Sequence, residues 1–206
     1  MSEMKQRMLR GELCRAEDPE LAADMARAQA LLERFNATRH DEREEQARLL
    51  RELLGGVGDD VVIRPTFRCD YGAYITIGAG TFVNFDCVML DCAPITIGAA
   101  CQIATRVQLL TPTHPIDPGP RRAGWEAAEP IALGDNIWLG GGVIVCPGVS
   151  IGADTVVGAG AVVTRDLPAG VVAVGNPARV LREIGEGDRV DVPETSQPRM
   201  DRHFVR

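Results

Sequence analysis

Aliphatic side chains recur at every sixth residue through the second half of the chain. The repeating positions are Leu133, Leu139, Val145, Ile151, Val157 and Val163, and four of the six are followed directly by glycine. An α-helix would place apolar residues at a period of about 3.6, and an alternating strand at a period of about 2. A strict six-residue period with glycine instead predicts short strands stacked into a parallel β-helix.

Each six-residue unit supplies one short strand, one inward aliphatic side chain and a turn. Three such units close a triangular coil, and successive coils pair as parallel strands around one narrow core. Such a core accepts small or branched side chains, which agrees with an aromatic content of 4% beside a hydrophobic content of 45%. The predicted fold class is therefore mainly β.

The same pattern appears earlier in the chain, with one slip and one long interruption. The period holds at Ile77, Val83 and Met89, and it resumes after a two-residue slip around Pro94 at Ile97, Ile103 and Leu109. Residues 110–130 then break the repeat. A loop of this length inside a compact repeat is usually functional or disordered. Because His114 lies in it, we expect an inserted loop with a functional role.

The first 56 residues have the pattern of helices. Asp18 followed by Pro19 predicts a helix start, and an apolar face follows at Leu21, Met25, Ala28, Leu32 and Phe35. Asp41 with Glu44 resembles a capping box and predicts a second helix, which carries Leu49, Leu50, Leu53 and Leu54. We expect both helices to pack on the coil or to cover its open end.

The sequence thus predicts three parts: an N-terminal helical segment at 1–56, the β-helix at 57–184 with its loop at 110–130, and a polar, disordered tail at 185–206. The net charge of −7 argues against nucleic acid and anionic membranes as partners. We expect neither a signal peptide nor a transmembrane span. The six cysteines lack zinc-site spacing and fit the buried, reduced thiols of a cytoplasmic protein.

Six short motifs follow one another along the chain. They are Cys69-Asp70-Tyr71-Gly72, Phe82-Val83-Asn84-Phe85, Leu90-Asp91, Thr113-His114-Pro115, Ile137-Trp138-Leu139-Gly140-Gly141 and Gly175-Asn176-Pro177-Ala178-Arg179-Val180. Their order and spacing resemble the maltose and galactoside O-acetyltransferases, which are hexapeptide-repeat acyltransferases. The resemblance implies a left-handed β-helix and a homotrimer with active sites between subunits. It also implies acetyl-coenzyme A as donor and a sugar hydroxyl as acceptor.

Acetyl transfer from a thioester to an alcohol needs a base for the hydroxyl proton. It also needs donors for the charge that develops on the carbonyl oxygen. Histidine suits the first task because its ordinary pKa of about 6.5 leaves it mostly neutral near pH 7. Of the three histidines, His40 precedes a helix and His203 lies in the tail, whereas His114 lies in the inserted loop. We therefore predict that His114 is the general base, with direct transfer and no metal.

The resemblance places acceptor-binding side chains at Asp70, Asn84 and Asp91, with Glu126 as a weaker candidate. Asn84 also departs from the small residue that usually follows an inward aliphatic, which indicates a site. Asp70 and Asp91 are equally compatible with turn formation. Two positions depart from the family. Ala16-Glu17-Asp18 stands where it has an amino-terminal acidic residue, and Cys92 stands where some members carry a second aspartate.

Coenzyme A presents pantetheine amides and anionic phosphates to a protein. Open backbone along the coil is expected to hold the amides, and arginines after the repeat are expected to hold the phosphates. The predicted cofactor-binding residues are Trp138, Gly141, Ala159, Thr164, Arg165, Arg179 and Arg182. For Trp138 a core or interface role is an equal alternative.

The same coil also allows other functions. Carbonic anhydrases on the same coil need three histidine ligands, and the repeat region has only His114. A non-catalytic assembly module stays open because a fold does not define a function. Among enzymes, serine, amino sugars and antibiotics are alternative acceptors.

Overall fold

The computed structural model describes residues 1–192, in which helices at the N-terminus are followed by a stack of β-coils. Residues 193–206, which form most of the predicted tail, lie outside the described residues. The N-terminal elements are α1 Glu3–Leu9, β1 Cys14–Arg15, α2 Pro19–Asn36 and α3 Arg43–Leu53. Helix α1 and strand β1 were not predicted from the sequence.

The two predicted helix starts have different outcomes. The Asp18 side chain accepts hydrogen bonds from the N–H groups of Glu20 and Leu21, so the predicted cap of α2 is confirmed. The predicted cap at Asp41 is wrong, because α3 begins one residue later with Glu42 at its N-cap position. The Asp41 carboxylate instead pairs with the Arg39 guanidinium at 3.1 Å.

The coils are built from short strands in the predicted rhythm. In chain order they are β2 Gly56–Val57, β3 Val62–Ile63, β4 Phe67–Cys69, β5 Ile75–Ile77, β6 Phe82–Val83, β7 Cys87–Leu90, β8 Ile95–Ile97, β9 Gln102–Ile103 and β10 Gln108–Leu110. After the inserted loop, which contains β11 Pro112–Thr113, α4 Pro118–Arg122 and β12 Trp125–Ala128, they continue as β13 Ile131–Leu133, β14 Trp138–Leu139, β15 Ile144–Val145, β16 Ser150–Ile151, β17 Val156–Val157, β18 Val162–Val163 and β19 Val171–Val174. The strand β20 Arg179–Glu183 and a 3-10 helix, Glu186–Asp188, follow.

The coil strands form three sheets, one on each side of the prism. Sheet I contains β2, β5, β8, β13 and β16, sheet II contains β3, β6, β9, β14, β17, β19 and β20, and sheet III contains β4, β7, β10, β15 and β18. All pairings within the sheets are parallel except the antiparallel pair of β19 and β20. The predicted β-helix is therefore confirmed.

One continuous core joins the coils to the N-terminal helices. Aliphatic residues of the repeat, such as Val145 and Val163, share this core with Leu32 and Phe35 of α2 and with Leu49 of α3. Helix α2 also covers the free edge of β4. Asn36 Nδ2 donates to the Phe67 carbonyl and Asn36 Oδ1 accepts from the Phe67 N–H, each at 2.9 Å. The expectation that the helices pack on the coil is confirmed.

The irregularities of the repeat all fall on one edge of the prism, where the chain passes from sheet III to sheet I. The first two turns on this edge are long, so that Cys69 pairs with Met89, 20 residues further on. Later in the chain Val145 pairs with Val163, only 18 residues further on. The inserted loop leaves from the same edge. We call residues 70–74, 91–94, 111–130, 146–149 and 164–166 the insert edge.

A second edge, where the chain passes from sheet II to sheet III, keeps short turns of three or four residues. It comprises residues 64–66, 84–86, 104–107, 140–143 and 158–161, and we call it the Asn84 edge. Sheet III separates the two edges. The insert edge and the Asn84 edge therefore lie on opposite sides of one sheet.

The inserted loop has its own secondary structure. Strand β12 lies between β1 and β11 in a three-stranded antiparallel sheet. Leu110 belongs to β10, so the interruption begins one residue later than predicted. The loop is thereby tied to the N-terminal segment.

Three remaining expectations concern the cysteines, the membrane and the tail. All six cysteines are free thiols; Cys92 and Cys146 are half-buried and the other four are buried. None of the helices in residues 1–192 has the length and apolar character that crossing a bilayer requires. Asp188, near the start of the tail, is held to β20, because its carboxylate accepts two hydrogen bonds of 2.6 Å from the Arg182 guanidinium.

Candidate active site

His114 directly follows β11 on the inserted loop. Strand β11 pairs with β12 so that Thr113 lies opposite Ala127. The next step of this register places His114 opposite Glu126. The His114 side chain is exposed, and its imidazole has no hydrogen-bond partner among residues 1–192. It is therefore open to a ligand.

Glu126 lies in the central strand of the loop sheet, opposite Cys14 of β1. It is half-buried, and its negative charge contributes to raising the pKa of Asp70 and of the Cys92 thiol. The loop therefore brings Glu126 near the two turns of the insert edge that contain these residues.

Asp70 and Cys92 form a hydrogen-bonded pair on the insert edge. The Cys92 thiol donates to Asp70 Oδ2 at 3.4 Å. Burial raises the pKa of Asp70 to about 6, and the hydrogen bond from Cys92 opposes this rise. Burial also raises the pKa of the Cys92 thiol, and the carboxylate of Asp70 adds to that effect. Near pH 7 the pair thus presents a mostly ionised carboxylate and a neutral thiol.

Asp91 does not face the open site, which corrects the expectation that it contacts the acceptor. Its side chain is fully buried. Its carboxylate accepts hydrogen bonds from the N–H groups of Asp70, Tyr71 and Tyr74, at 3.1, 2.8 and 3.2 Å. Asp91 therefore holds the turn that carries Asp70. At the site itself, the side chain that contacts Asp70 is that of Cys92.

The acidic residues before α2 are also engaged in the fold. Asp18, besides capping α2, accepts a hydrogen bond from the Ser2 hydroxyl at 2.9 Å. Glu17 pairs with the Arg15 guanidinium at 2.8 Å on the surface. Neither carboxylate has a contact with the Asp70–Cys92 pair among residues 1–192.

Asn84, Gly141 and Ala159 lie in three different turns of the Asn84 edge. Asn84 Oδ1 accepts a hydrogen bond from the Phe85 N–H at 2.9 Å, whereas its Nδ2 group has no partner in the described part of the chain. Gly142 and Gly160 have φ angles of +70° and +71°, and no atom of residues 1–192 lies within 4 Å of where a Cβ would stand on either. This edge therefore presents open backbone to an extended ligand.

The remaining predicted donor residues lie on other surfaces of the coil. Trp138 is 55% exposed on the outer face of sheet II, which excludes a core role. Thr164 and Arg165 are exposed on the insert edge. Arg179 Nη1 donates to the Ala178 carbonyl at 2.7 Å, and Arg182 is paired with Asp188.

Six of the predicted site residues thus form two groups on one chain. The insert edge brings together Asp70, Glu126 and His114, and it adds Cys92, which the sequence singled out only as a departure from the family. The Asn84 edge brings together Asn84, Gly141 and Ala159. Among residues 1–192, no group of three His, Cys, Asp or Glu side chains has an arrangement that could hold a metal ion.

Comparison with known proteins places this arrangement in a family. Residues 7–58 match the family described as the maltose acetyltransferase hexapeptide capping motif. Residues 130–165 match the bacterial transferase hexapeptide family, described as six repeats. Nodulation protein L of Rhizobium meliloti (strain 1021) is 51% identical over 176 residues, which cover 85% of this chain and 96% of that protein.

Two solved structures are similar over nearly the whole chain. A maltose O-acetyltransferase from Clostridium difficile 630 has a TM-score of 0.88 and 43% identity, covering 90% of this chain and 99% of its own. A galactoside acetyltransferase in complex with coenzyme A has a TM-score of 0.87 and 34% identity, and the match covers 91% of this chain and 94% of the galactoside acetyltransferase chain. The chain therefore belongs to the maltose and galactoside O-acetyltransferase family of hexapeptide-repeat proteins and is an acetyltransferase.

Proposed function

We propose that the protein transfers the acetyl group of acetyl-coenzyme A to a hydroxyl of a sugar, with His114 as general base. The observation that carries the proposal is the insert edge. There, an exposed histidine without a protein partner stands opposite Glu126, and Glu126 lies near the Asp70–Cys92 pair. A base beside several hydroxyl-binding groups suits an alcohol acceptor.

In the reaction, His114 takes the proton of the sugar hydroxyl as its oxygen attacks the thioester carbonyl. The new C–O bond forms, the C–S bond breaks, and the imidazolium returns the proton to the departing thiolate. Negative charge develops on the carbonyl oxygen before the C–S bond breaks, and the Nδ2 group of Asn84 is a suitable donor for it. Direct transfer is favoured over a covalent acetyl-enzyme, because burial raises the pKa of the Cys92 thiol and keeps it neutral.

The acceptor is recognised by Asp70, Glu126 and Cys92. An ionised carboxylate accepts hydrogen bonds from hydroxyl groups, and these bonds are stronger than those between neutral groups. Because Cys92 already donates to Asp70 Oδ2, Asp70 Oδ1 is the oxygen that a sugar hydroxyl would use.

For the donor, the open backbone of Gly141, Gly142 and Ala159 suits the pantetheine amides, with Trp138 on the adjoining face of sheet II and Thr164 on the insert edge. Arg165, Arg179 and Arg182 are the candidates for the phosphates. The related galactoside acetyltransferase has coenzyme A in its structure, which supports the same donor here.

The separation of the two edges supports a homotrimer. His114 and Asn84 lie on opposite sides of sheet III in one chain, so a site that uses both needs the insert edge of one subunit and the Asn84 edge of the next. A repeated contact between two different surfaces closes into a ring under cyclic symmetry. We infer that each site lies between two subunits of a trimer.

The experiment that tests the proposed function is an acetyl-transfer assay with a panel of acceptors. The purified protein is incubated with acetyl-coenzyme A and galactosides, maltose and glucose, and in parallel with serine, amino sugars and aminoglycoside antibiotics, and release of the coenzyme A thiol is followed. Acetylation of sugar hydroxyls supports the proposal. Acetylation confined to amines or to serine contradicts it, and no release with any acceptor favours a non-catalytic assembly module.

A further inference from the structure

A cavity of about 410 Å³ lies between α3 and the first coils. The side chains that matter here are Arg43, Leu50 and Arg51 of α3, and Val57, Arg64 and Phe85 of the coils. None of the lining residues described belongs to the insert edge, so within one chain the cavity is separate from His114 and Asp70.

The lining of this cavity is basic, although the whole chain has a net charge of −7. Arg43, Arg51 and Arg64 line it together with His40, whereas Asp60 is the one acidic residue that the described part of the chain adds to the lining. A concave, positively charged surface on an acidic protein concentrates anions and disfavours cations.

Two arginines of helix α3, Arg48 and Arg51, differ in their contacts. Arg48 is held by two carboxylates, those of Glu45 at 2.7 Å and Glu52 at 2.9 Å. Arg51 is one of the residues that line the cavity, and its side chain makes no ion pair or hydrogen bond with any other residue between 1 and 192. Arg51 is therefore a donor that an anion can engage without breaking an existing pair.

Aromatic rings stand beside the positive charge. The Arg64 guanidinium lies 4.8 Å from the ring centre of Phe85 and 5.2 Å from that of Phe82. Phe85 is 45% exposed. A flat apolar ring next to guanidinium groups suits a ligand that combines a sugar ring with a negatively charged substituent.

The cavity is continuous with the Asn84 edge. Phe85 directly follows Asn84, and its N–H donates to Asn84 Oδ1. In the preceding turn of the same edge, the Arg64 N–H donates to the Val83 carbonyl at 2.9 Å. A sugar that attacks a carbonyl bound by Asn84 would therefore lie at the mouth of the cavity.

We propose that this cavity binds an anionic group of the acceptor, a carboxylate or a phosphate monoester, so that the preferred acceptor is an acidic sugar. The proposal rests on the proposed sugar acetylation and names its substrate class. Arg51 and Arg64 bind the anion through charge-assisted hydrogen bonds, and Phe85 contacts the sugar ring.

The test compares neutral and acidic acceptors of the same ring. Methyl glucopyranoside, methyl glucuronopyranoside and glucose 6-phosphate are assayed for kcat/KM, and their binding is measured by calorimetry without acetyl-coenzyme A. The wild type should favour at least one acidic sugar. Arg51→Ala should lower the ratio of acidic to neutral kcat/KM by about tenfold, the size of one lost charge-assisted bond. Arg48→Ala, one turn away on α3, should leave this ratio unchanged.

Equal kcat/KM and equal binding for neutral and acidic sugars in the wild type would overturn the proposal. So would an Arg51→Ala variant with an unchanged ratio. Calorimetry separates this result from the proposed function. If acidic sugars bind through Arg51 but no sugar is acetylated, the cavity is upheld and sugar acetylation is wrong. Preference for the uronate alone or the phosphate alone identifies which anion the cavity takes.

Discussion

The Cys92 thiol donates a hydrogen bond to Asp70 Oδ2 at 3.4 Å, across two neighbouring turns of the insert edge. Asp91 and Glu126 already bring negative charge to this region, and both contribute to raising the pKa of Asp70. An aspartate at position 92 would add another carboxylate beside them. Cys92 instead supplies a neutral donor, which lowers the pKa of Asp70 and favours its ionised form.

Replacement of Asp70 by asparagine should change how stability depends on pH. Burial raises the pKa of Asp70 from an ordinary value of 3.8 to about 6 in the folded protein. The stabilising contribution of this group is complete at a pH below its pKa in the unfolded protein. It is lost as the pH rises through its pKa in the folded protein. Because asparagine does not titrate, the difference between the Tm of Asp70→Asn and the Tm of the wild type should shift in favour of the variant as the pH rises from about 4 to about 7.

Calorimetric melting over this pH range checks the prediction. Asp59→Asn, a change at an exposed aspartate, is the matched control and should follow the wild type. Parallel Tm curves for the wild type and Asp70→Asn would contradict the raised pKa of Asp70.

Replacement of Asp91 by alanine should destabilise the fold. Three backbone N–H groups of the turn at 70–74 would lose their acceptor. The bond from Tyr71 is buried and the other two are partly buried. A buried donor left without a partner costs about 1–3 kcal/mol, so we expect the free energy of unfolding to fall by about 2 kcal/mol or more. Urea denaturation measures the loss. Asp59→Ala should change stability little, and equal stabilities of these two variants would refute the structural role of Asp91.

Replacement of Arg179 by alanine should weaken the binding of acetyl-coenzyme A more than the binding of the sugar. Loss of one phosphate contact should raise KM for acetyl-coenzyme A about tenfold and leave KM for the sugar nearly unchanged. Arg182→Ala should have a smaller effect, because Asp188 already neutralises Arg182. The check is a comparison with the dephosphorylated thioester. If Arg179→Ala raises KM equally for both thioesters, Arg179 does not bind the phosphate that was removed.

Two inactive variants should complement each other if the site lies between subunits. His114→Ala and Asn84→Ala are expected to be weakly active alone. In trimers formed by co-expression, about a quarter of the neighbouring pairs combine an intact insert edge with an intact Asn84 edge. Mixed trimers should therefore recover about a quarter of the wild-type activity. Activity no greater than that of the separate variants would place both residues in the same subunit's site.

The parts of the fold that repeat were predictable, because the period of six is a local signal. Val145 and Val163 are fully buried, as their places in the repeat required. The cap at Asp18 was predictable for the same reason, since a side chain and the next three residues decide it. At α3 the same reasoning failed. Glu42 takes the N-cap position without a side-chain cap hydrogen bond, and its carboxylate accepts from the Arg39 N–H instead.

The site was predictable only in part. The pairing of β1 with β12 joins two-residue and four-residue strands more than 100 residues apart, and such short strands have no pattern of their own. The burial of Asp91 depends on the turn that folds over it. One signal was present in the sequence: the slip around Pro94 and the inserted loop fall at the same phase of the repeat. Departures from the period therefore marked the insert edge.

The rate of acetyl transfer by His114→Ala tests the central claim most directly. The exposed His114 has no structural partner in residues 1–192, so its removal should leave Tm, oligomeric state and acetyl-coenzyme A binding nearly unchanged. Turnover with the best sugar acceptor should fall by about 10²- to 10⁴-fold, the usual effect of losing a general base. A His114→Ala protein that is folded, binds acetyl-coenzyme A and turns over at the wild-type rate would contradict the account.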